Sequence, residues 1–355
     1  MLFDQKIRTD IRSALGNENS FEYFNNTARV DVEPIRQLLE DWYKIYPDAD
    51  KLEIKQRLKA DFYPAFYELG MYCYFINQGF EVTIHPQIPN SSKHPDFLVK
   101  KGSLEFYVEI KEMRMSSDKE RSTARLTNTL TDSLNLIDST NFLLSIKKIL
   151  FKDGSQPSGK KIIAHFDSLI SNIEPDGYRE LLENGGYDQL PSLFFEDHTV
   201  FISLKLIPKA PHLRGNNGRA IGSYGAYSKV GGDETEIRDA LIPKAKKYGE
   251  LDKPFLICLN YPSTFLDPED VQKALFGLDQ RMYSNGFDGL FGTQEAPKST
   301  RVSAVLVTGF TIPGLIRAKM CFHKNPFAKR ELSFSPPFDL GKYLALNTDY
   351  IARFS

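Results

Sequence analysis

Cysteine is scarce in this chain of 355 residues, with three in all, Cys73, Cys258 and Cys321. An odd number at such wide spacing makes neither a disulfide framework nor a zinc-ligand pattern. Buried free thiols in a cytoplasmic protein are the expectation. No apolar run approaches the length of a membrane span, so no membrane association is expected. The opening MLFDQKIRTDIRS carries charge throughout, and no secretory leader is expected from it. Charge of one sign is also missing: the net charge is −1. That argues against a protein that coats polyanions passively, and leaves room for a local basic cleft. Neither G-x-x-x-x-G-K-[ST] nor G-x-G-x-x-G occurs, so there is no glycine loop of the kinds that cradle nucleotide phosphates. What remains is an ordinary globular composition, 41% hydrophobic and 26% charged, long enough for one large domain or two smaller ones.

The most informative stretch is His94 to Lys111, HPDFLVKKGSLEFYVEIK. Phe97 and Val99 alternate with less constrained positions, and Leu104, Phe106, Val108 and Ile110 alternate with Glu105, Tyr107, Glu109 and Lys111. Period-two alternation predicts two strands with one face in a core. Lys101-Gly102 serves as a two-residue turn, Gly supplying the positive φ. That turn pairs Lys100 with Ser103, Val99 with Leu104 and Phe97 with Phe106. Asp96 then faces Tyr107 and is the diagonal neighbour of Glu109, roughly 7–8 Å away. Lys111 follows Glu109 on the same face. Two carboxylates at that separation can share a hard divalent cation, Mg²⁺ or Mn²⁺. Such an ion polarises a phosphate oxygen and lowers the pKa of a bound water. A nearby lysine orients that water or offsets developing negative charge.

Pro95-Asp96, twelve intervening residues and then Glu109-Ile110-Lys111 resembles the signature of the PD-(D/E)XK nuclease superfamily. The resemblance covers about residues 61–150. It implies an α/β protein with a restriction-endonuclease-like core, a mixed central sheet flanked by helices, in the order helix, three antiparallel strands, helix, strand. It implies Asp96 and Glu109 as metal ligands, the backbone carbonyl of Ile110 completing the shell, and Lys111 orienting the attacking water. An acid on the preceding helix often joins such sites. Glu68, set among Phe66, Leu69, Met71 and Tyr72, is the candidate here as a further catalytic and metal-binding acid. A carboxylate in such company is costly unless paired or metal-bound. The alternative is a structural Glu bonded to Arg57 or a tyrosine.

Around that centre, residues 1–60 read as a helical lead-in, loosely held over 1–27. A helix is expected over VEPIRQLLEDWYKIY, and another, capped by Asp50, over LEIKQRLK. A buried helix spans Tyr63–Gln78, with Pro64 in its first turn and Gly79 at its end. Phe80–Gln87 reads as the first strand, with His85 at its end. His94 faces Glu109 as a candidate hydrogen-bond partner. Beyond Lys111, a helix capped by Ser116 or Ser117 is expected to run to about Asp138, with Arg114, Lys119, Arg121 and Arg125 clustered near its start. These are either phosphate contacts or a solvated face. Asn141–Phe151 is taken as the fourth core strand, followed by a helix over Pro157–Ile173 and a Gly-, Pro- and acid-rich bridge over 174–198.

The core is therefore expected over 61–180, with a C-terminal α/β extension over 181–355. In that extension Thr199–Ile207, Pro254–Asn260, Arg301–Thr308 and Leu315–His323 read as strands. Glu234–Tyr248, with Lys244, Lys246 and Lys247, and Pro268–Gly277 read as helices. Six glycines, with Arg214 and Arg219, mark a basic loop over Pro208–Asp233. The tail from Pro326 reads as surface coil. These strands either form their own domain or extend the first sheet.

The expected function is a Mg²⁺- or Mn²⁺-dependent endonuclease-type phosphodiesterase acting on nucleic acid, DNA first among the candidates. By resemblance the product carries a 5′-phosphate. A homodimer is expected where one site must cut two strands. The alternatives are a catalytically inactive nuclease-fold module serving DNA binding or assembly, and a hydrolase of another phosphate ester.

Overall fold

The computed structural model describes residues 1–89, 91–113, 118–216, 218–224, 233–261, 266–277, 289–312, 319–337 and 344. Four helices come first: α1 (Ser20–Asn26), α2 (Glu33–Ile45), α3 (Lys51–Ala60) and α4 (Phe62–Asn77). They lead into three strands, β1 (Glu81–Ile84), β2 (Phe97–Lys101) and β3 (Leu104–Glu112). Then come α5 (Asp118–Leu134), β4 (Phe142–Phe151), α6 (Gly159–Ile170), α7 (Pro175–Gly185), β5 (Ser192–Glu196), β6 (Val200–Pro208) and β7 (Ile221–Tyr224). The chain continues through α8 (Asp233–Ala245), β8 (Phe255–Asn260), α9 (Pro268–Phe276), β9 (Ala304–Thr308) and β10 (Met320–Lys324). The protein is α/β, with sheets flanked by helices.

Contacts divide the chain into two units. The first holds residues 1–12, 19–114 and 230–355, and the second holds 13–18 and 115–229. The expected divisions after residues 60 and 180 do not coincide with these units. A long excursion leaves the first unit just after β3 and returns just before α8.

The first unit is built on a six-stranded sheet in the order β1-β2-β3-β8-β9-β10. β1, β2 and β3 are antiparallel neighbours, β8 and β9 run parallel to β3, and β10 is antiparallel to β9. The strand beside β3 is therefore β8, not the Asn141–Phe151 segment expected there, and the C-terminal strands extend this sheet. All six residues of β8 are buried. Leu256 and Cys258 pack with the N-terminal helices, and Phe255, Ile257 and Leu259 pack with α8 and α9. A parallel strand covered on both faces shows no alternation in its sequence, and this one does not.

Helix α4 is apolar on every side and lies buried between the sheet and α2 and α3. Trp42 of α2 is fully buried against Phe66 and Phe310, and its indole N–H donates to the Leu344 carbonyl at 2.8 Å. Two ends expected to be loosely held or on the surface are anchored. Leu2 and Phe3 are buried and their amides donate to Glu40 at 3.0 and 2.7 Å. Phe334 packs among Phe75, Phe80, Phe106 and Phe322. Aromatic side chains this large gain more from burial than the short segments lose in being ordered.

The second unit has its own four-stranded sheet, β5-β6-β4-β7, with one face covered by α5 and α6 around Leu130, Leu134, Ile162 and Phe166. The bridge expected over 174–198 holds α7 and β5, and the glycine-rich loop holds β7. Arg214 of that loop is paired with Asp176 of α7 at 2.6 Å. Among the described residues no helix is long and apolar enough to cross a membrane. All three cysteines are buried and free.

Candidate functional site

The β2–β3 hairpin positions the motif, in a register two residues from the expected one. Lys101 pairs with Leu104, Val99 with Phe106 and Phe97 with Val108. The turn is Gly102-Ser103, with Gly102 at φ +59°. An even shift leaves every side chain on its expected face. It does change who stands opposite whom. One step past the Phe97–Val108 pair, Asp96 comes level with Glu109 instead of lying diagonal to it. Asp96 Oδ2 accepts the Ile110 amide at 2.5 Å, which ties the start of β2 to the middle of β3. The Asp96 carbonyl accepts the His85 amide at 3.0 Å.

Glu109 is fully buried. Its Oε1 accepts from the Lys244 ammonium and, at 2.7 Å, from the Lys247 ammonium. Its Oε2 accepts from the Tyr248 hydroxyl, which also reaches the His94 carbonyl at 2.7 Å. Helix α8 packs on β3 and β8, and its end and the turn after it deliver these three groups. Burial and the Glu109 carboxylate push the Tyr248 phenol up, so it stays a protonated donor.

Lys111 is half-buried, two residues along β3 from Glu109 on the same face, where the pairings with Ile257 and Leu259 of β8 set both. Asp96 feels its surroundings strongly. Burial first, then the Glu109 and Glu68 carboxylates, push it up to about 7, against a smaller downward pull from Ile110 N–H and Lys244. Two carboxylates held side by side with little water cannot both ionise without cost.

Glu68 is brought near but is otherwise engaged. Arg57 holds both its oxygens, at 3.0 and 2.5 Å, and the Tyr46 hydroxyl is 3.4 Å from Oε1. This is the structural pairing with Arg57 and a tyrosine, and it leaves the expected third acid out of a shared ligand set. The His94 ring turns to the Pro86 carbonyl at 3.3 Å, not to Glu109. His85 sits at φ +46° at the end of β1. The expected caps Ser116 and Ser117, and Arg114, lie outside the described residues, as do the side chains of Lys119 and Arg121. Arg125 is exposed on α5, which packs on the second sheet. The helix crossing from β3 to β8 is α8.

No family model, curated protein or solved structure matches the chain.

Whether the residues fit a divalent cation turns on Asp96 and Glu109. Among the described residues no three His, Cys, Asp or Glu side chains converge on one point. Asp96 and Glu109 stand level on neighbouring strands, each within the other's electrostatic reach. Asp96 Oδ1 has no hydrogen-bond donor among the described residues, and burial with the Glu109 and Glu68 carboxylates nearby raises its pKa. Asp96 Oδ1 is open to a cation, and Glu109 would have to share itself between that cation and the two lysines. Lys244 and Lys247 carry no partner in the sequence pattern, and the fold supplies Glu109. Their spacing was the available signal: Lys244, Lys247 and Tyr248 lie three and four residues apart, one face of the helix expected to run to Tyr248, although α8 ends at Ala245 and the last two sit in the turn after it.

Proposed function

We propose that the chain is a metal-dependent nuclease that hydrolyses phosphodiester bonds, with DNA the first polymer to test. The observation that carries this reading is the side-by-side placement of Asp96 and Glu109 with Asp96 pushed up to about 7. Supporting it is the order of elements in the first unit: α4, the antiparallel β1, β2 and β3, then α8 and a strand parallel to β3. That is the succession the PD-(D/E)XK resemblance implies, once residues 115–229 are counted as an insertion. The chain belongs to the restriction-endonuclease-like class on this reading.

Asp96, Glu109 and the Ile110 carbonyl would hold Mg²⁺ or Mn²⁺. When bound, the ion supplies Lewis-acid polarisation of a phosphate oxygen and a water of lowered pKa. Lys111, on the Glu109 face, holds the attacking water and balances negative charge as it develops. Lys244 and Lys247 pair with the buried Glu109 carboxylate, and Tyr248 fixes its orientation by a donated hydrogen bond. Glu68 acts through charge on Asp96 and through its bond to Arg57.

The test is plasmid nicking by the purified chain in Mg²⁺ or Mn²⁺. Loss of nicking in both Asp96→Ala and Lys111→Ala, with melting curves like the parent's, supports the roles. Undiminished nicking in either variant removes them.

One observation favours a second reading, a nuclease-fold module that binds nucleic acid without cutting it. The two lysines and Tyr248 already satisfy both oxygens of Glu109. Calorimetric titration with Mn²⁺ separates the two, since only the enzyme needs a cation held through Asp96 and Glu109.

A further inference from the structure

The loop before β2 and the turn after α8 enclose an open cavity of about 410 Å³. Lys247 is on its wall, and the same ammonium donates to Glu109 Oε1 at 2.7 Å. The cavity therefore begins where the candidate site ends. Its apolar part is formed by Ile88 and Leu251, both buried. Its cationic part is Lys93, Lys247 and Arg330.

The charges on this wall are unevenly satisfied. The acids on it have cations of their own: Glu250 is paired with Lys329 at 2.7 Å and Asp252 with Lys253 at 2.6 Å. Lys93 donates to the Lys247 carbonyl at 3.1 Å, and Arg330 uses Nε on the Leu251 carbonyl at 2.7 Å. Among the described residues no carboxylate lies within ion-pair distance of Lys93 or Arg330. The space is of the size that takes a small molecule, about 300–1,000 Å³. Apolar side chains beside a group of cations match a nucleobase joined to a phosphate.

We propose that this cavity holds the nucleotide next to the scissile phosphodiester, its base on Ile88 and Leu251 and its phosphate among Lys93, Lys247 and Arg330. The proposal rests on the nuclease reading and narrows its substrate. A recess of about 410 Å³ takes a base only once that base has left the stack, so the preferred polymer is single-stranded or unpaired at this point.

The test uses the full chain in EDTA, so that binding is read without cleavage. The probe is a fluorescent oligothymidylate, compared with a blunt duplex of equal length, with thymidine monophosphate as competitor. Two variants are compared with the parent. In Gly249→Phe a side chain is added to the cavity wall where nothing stands within 4 Å of a Cβ. Lys93→Gln with Arg330→Gln removes two exposed cations. The expected result is that the single strand binds more tightly than the duplex and that the monophosphate displaces it. Each variant should weaken single-strand binding by about tenfold or more, with melting unchanged. Variants that bind like the parent, or a monophosphate that fails to compete, overturn the proposal. If the parent nicks plasmid while the variants bind unchanged, the cavity assignment falls and the nuclease reading stands. If the monophosphate binds and the variants lose it, but no cation supports cleavage, the cavity stands and the nuclease reading falls.

Discussion

The amide of Ile110 donates to Asp96 Oδ2 at 2.5 Å. Through this bond the middle of β3 sets the carboxylate that precedes β2, so the two halves of the motif are not independent. Any change that shifts the hairpin register would break this bond and move Asp96 from its place level with Glu109.

Asp96→Ala and Lys111→Ala are each expected to lower the nicking rate by about 10²-fold or more, the usual cost of removing one group that stabilises transition-state charge. Lys111→Arg should recover little, because a planar guanidinium cannot place a water as a compact ammonium does. Initial rates in Mg²⁺ and Mn²⁺ measure both.

Asp96 gives the pH dependence its sign. Its pKa is raised from 3.8 to about 7 in the folded chain. Between those values the folded chain keeps a proton that the unfolded chain has released. The stability this group contributes is therefore complete below 3.8 and is lost as pH rises through about 7. In EDTA the melting temperature of Asp96→Asn should gain on that of the parent over this window. Mn²⁺ affinity of the parent should rise over the same window, since cation and proton compete for one carboxylate. A Mn²⁺ affinity flat across neutral pH would count against Asp96 as a ligand.

Lys244→Gln is expected to tighten Mn²⁺ binding by about tenfold, roughly 1.4 kcal/mol, because one ammonium fewer competes with the cation for Glu109 Oε1. If Glu109 serves only as a partner for lysines, the substitution lowers the melting temperature and leaves Mn²⁺ titrations unchanged.

Arg57→Ala leaves the Glu68 carboxylate, 3% exposed, without its cation. A fully buried pair broken this way costs about 3–5 kcal/mol. Arg57 is 37% exposed, so water can reach its place and roughly 2–3 kcal/mol is expected. Glu68→Gln in the Arg57→Ala background should recover most of that loss in urea unfolding. Glu68→Gln alone should leave Mn²⁺ stoichiometry intact.

Gly70 of α4 tests the packing over the sheet. A Cβ there would stand 2.7 Å from Phe310 Cζ and 3.3 Å from Trp42 Cζ3. Gly70→Ala gains about 1 kcal/mol of helix propensity and loses about 1–3 kcal/mol to overpacking. The Phe310 ring is stacked on both Phe66 and Trp42 and has little room to retreat. A net loss of about 1 kcal/mol in urea unfolding is expected, with overpacking outweighing the helix gain.

The alternation in His94 to Lys111 settled which side chains share a face, because a strand's side-chain period is two and burial rewards only one phase of it. Gly102 also marked the turn, since its φ of +59° suits glycine best. The apolar run of Tyr63–Gln78 and the run Pro254–Asn260 announced buried elements. For the same reason, these patterns could not choose between pairings two residues apart, which bury the same faces. That choice was made by Gly102-Ser103 turning where Lys101-Gly102 was expected.

Sequence by itself thus determined the local elements, the faces they bury, and Asp96, Glu109 and Lys111 as the acids and lysine of one hairpin. Tertiary structure decided their company. Asn141–Phe151 and Pro254–Asn260 are both apolar strands, and nothing local says which one pairs with β3; the partnership depends on contacts more than a hundred residues apart. The same is true of Lys244 and Lys247 on Glu109 and of Arg57 on Glu68, where a buried charge takes whichever opposite charge the packing brings within reach.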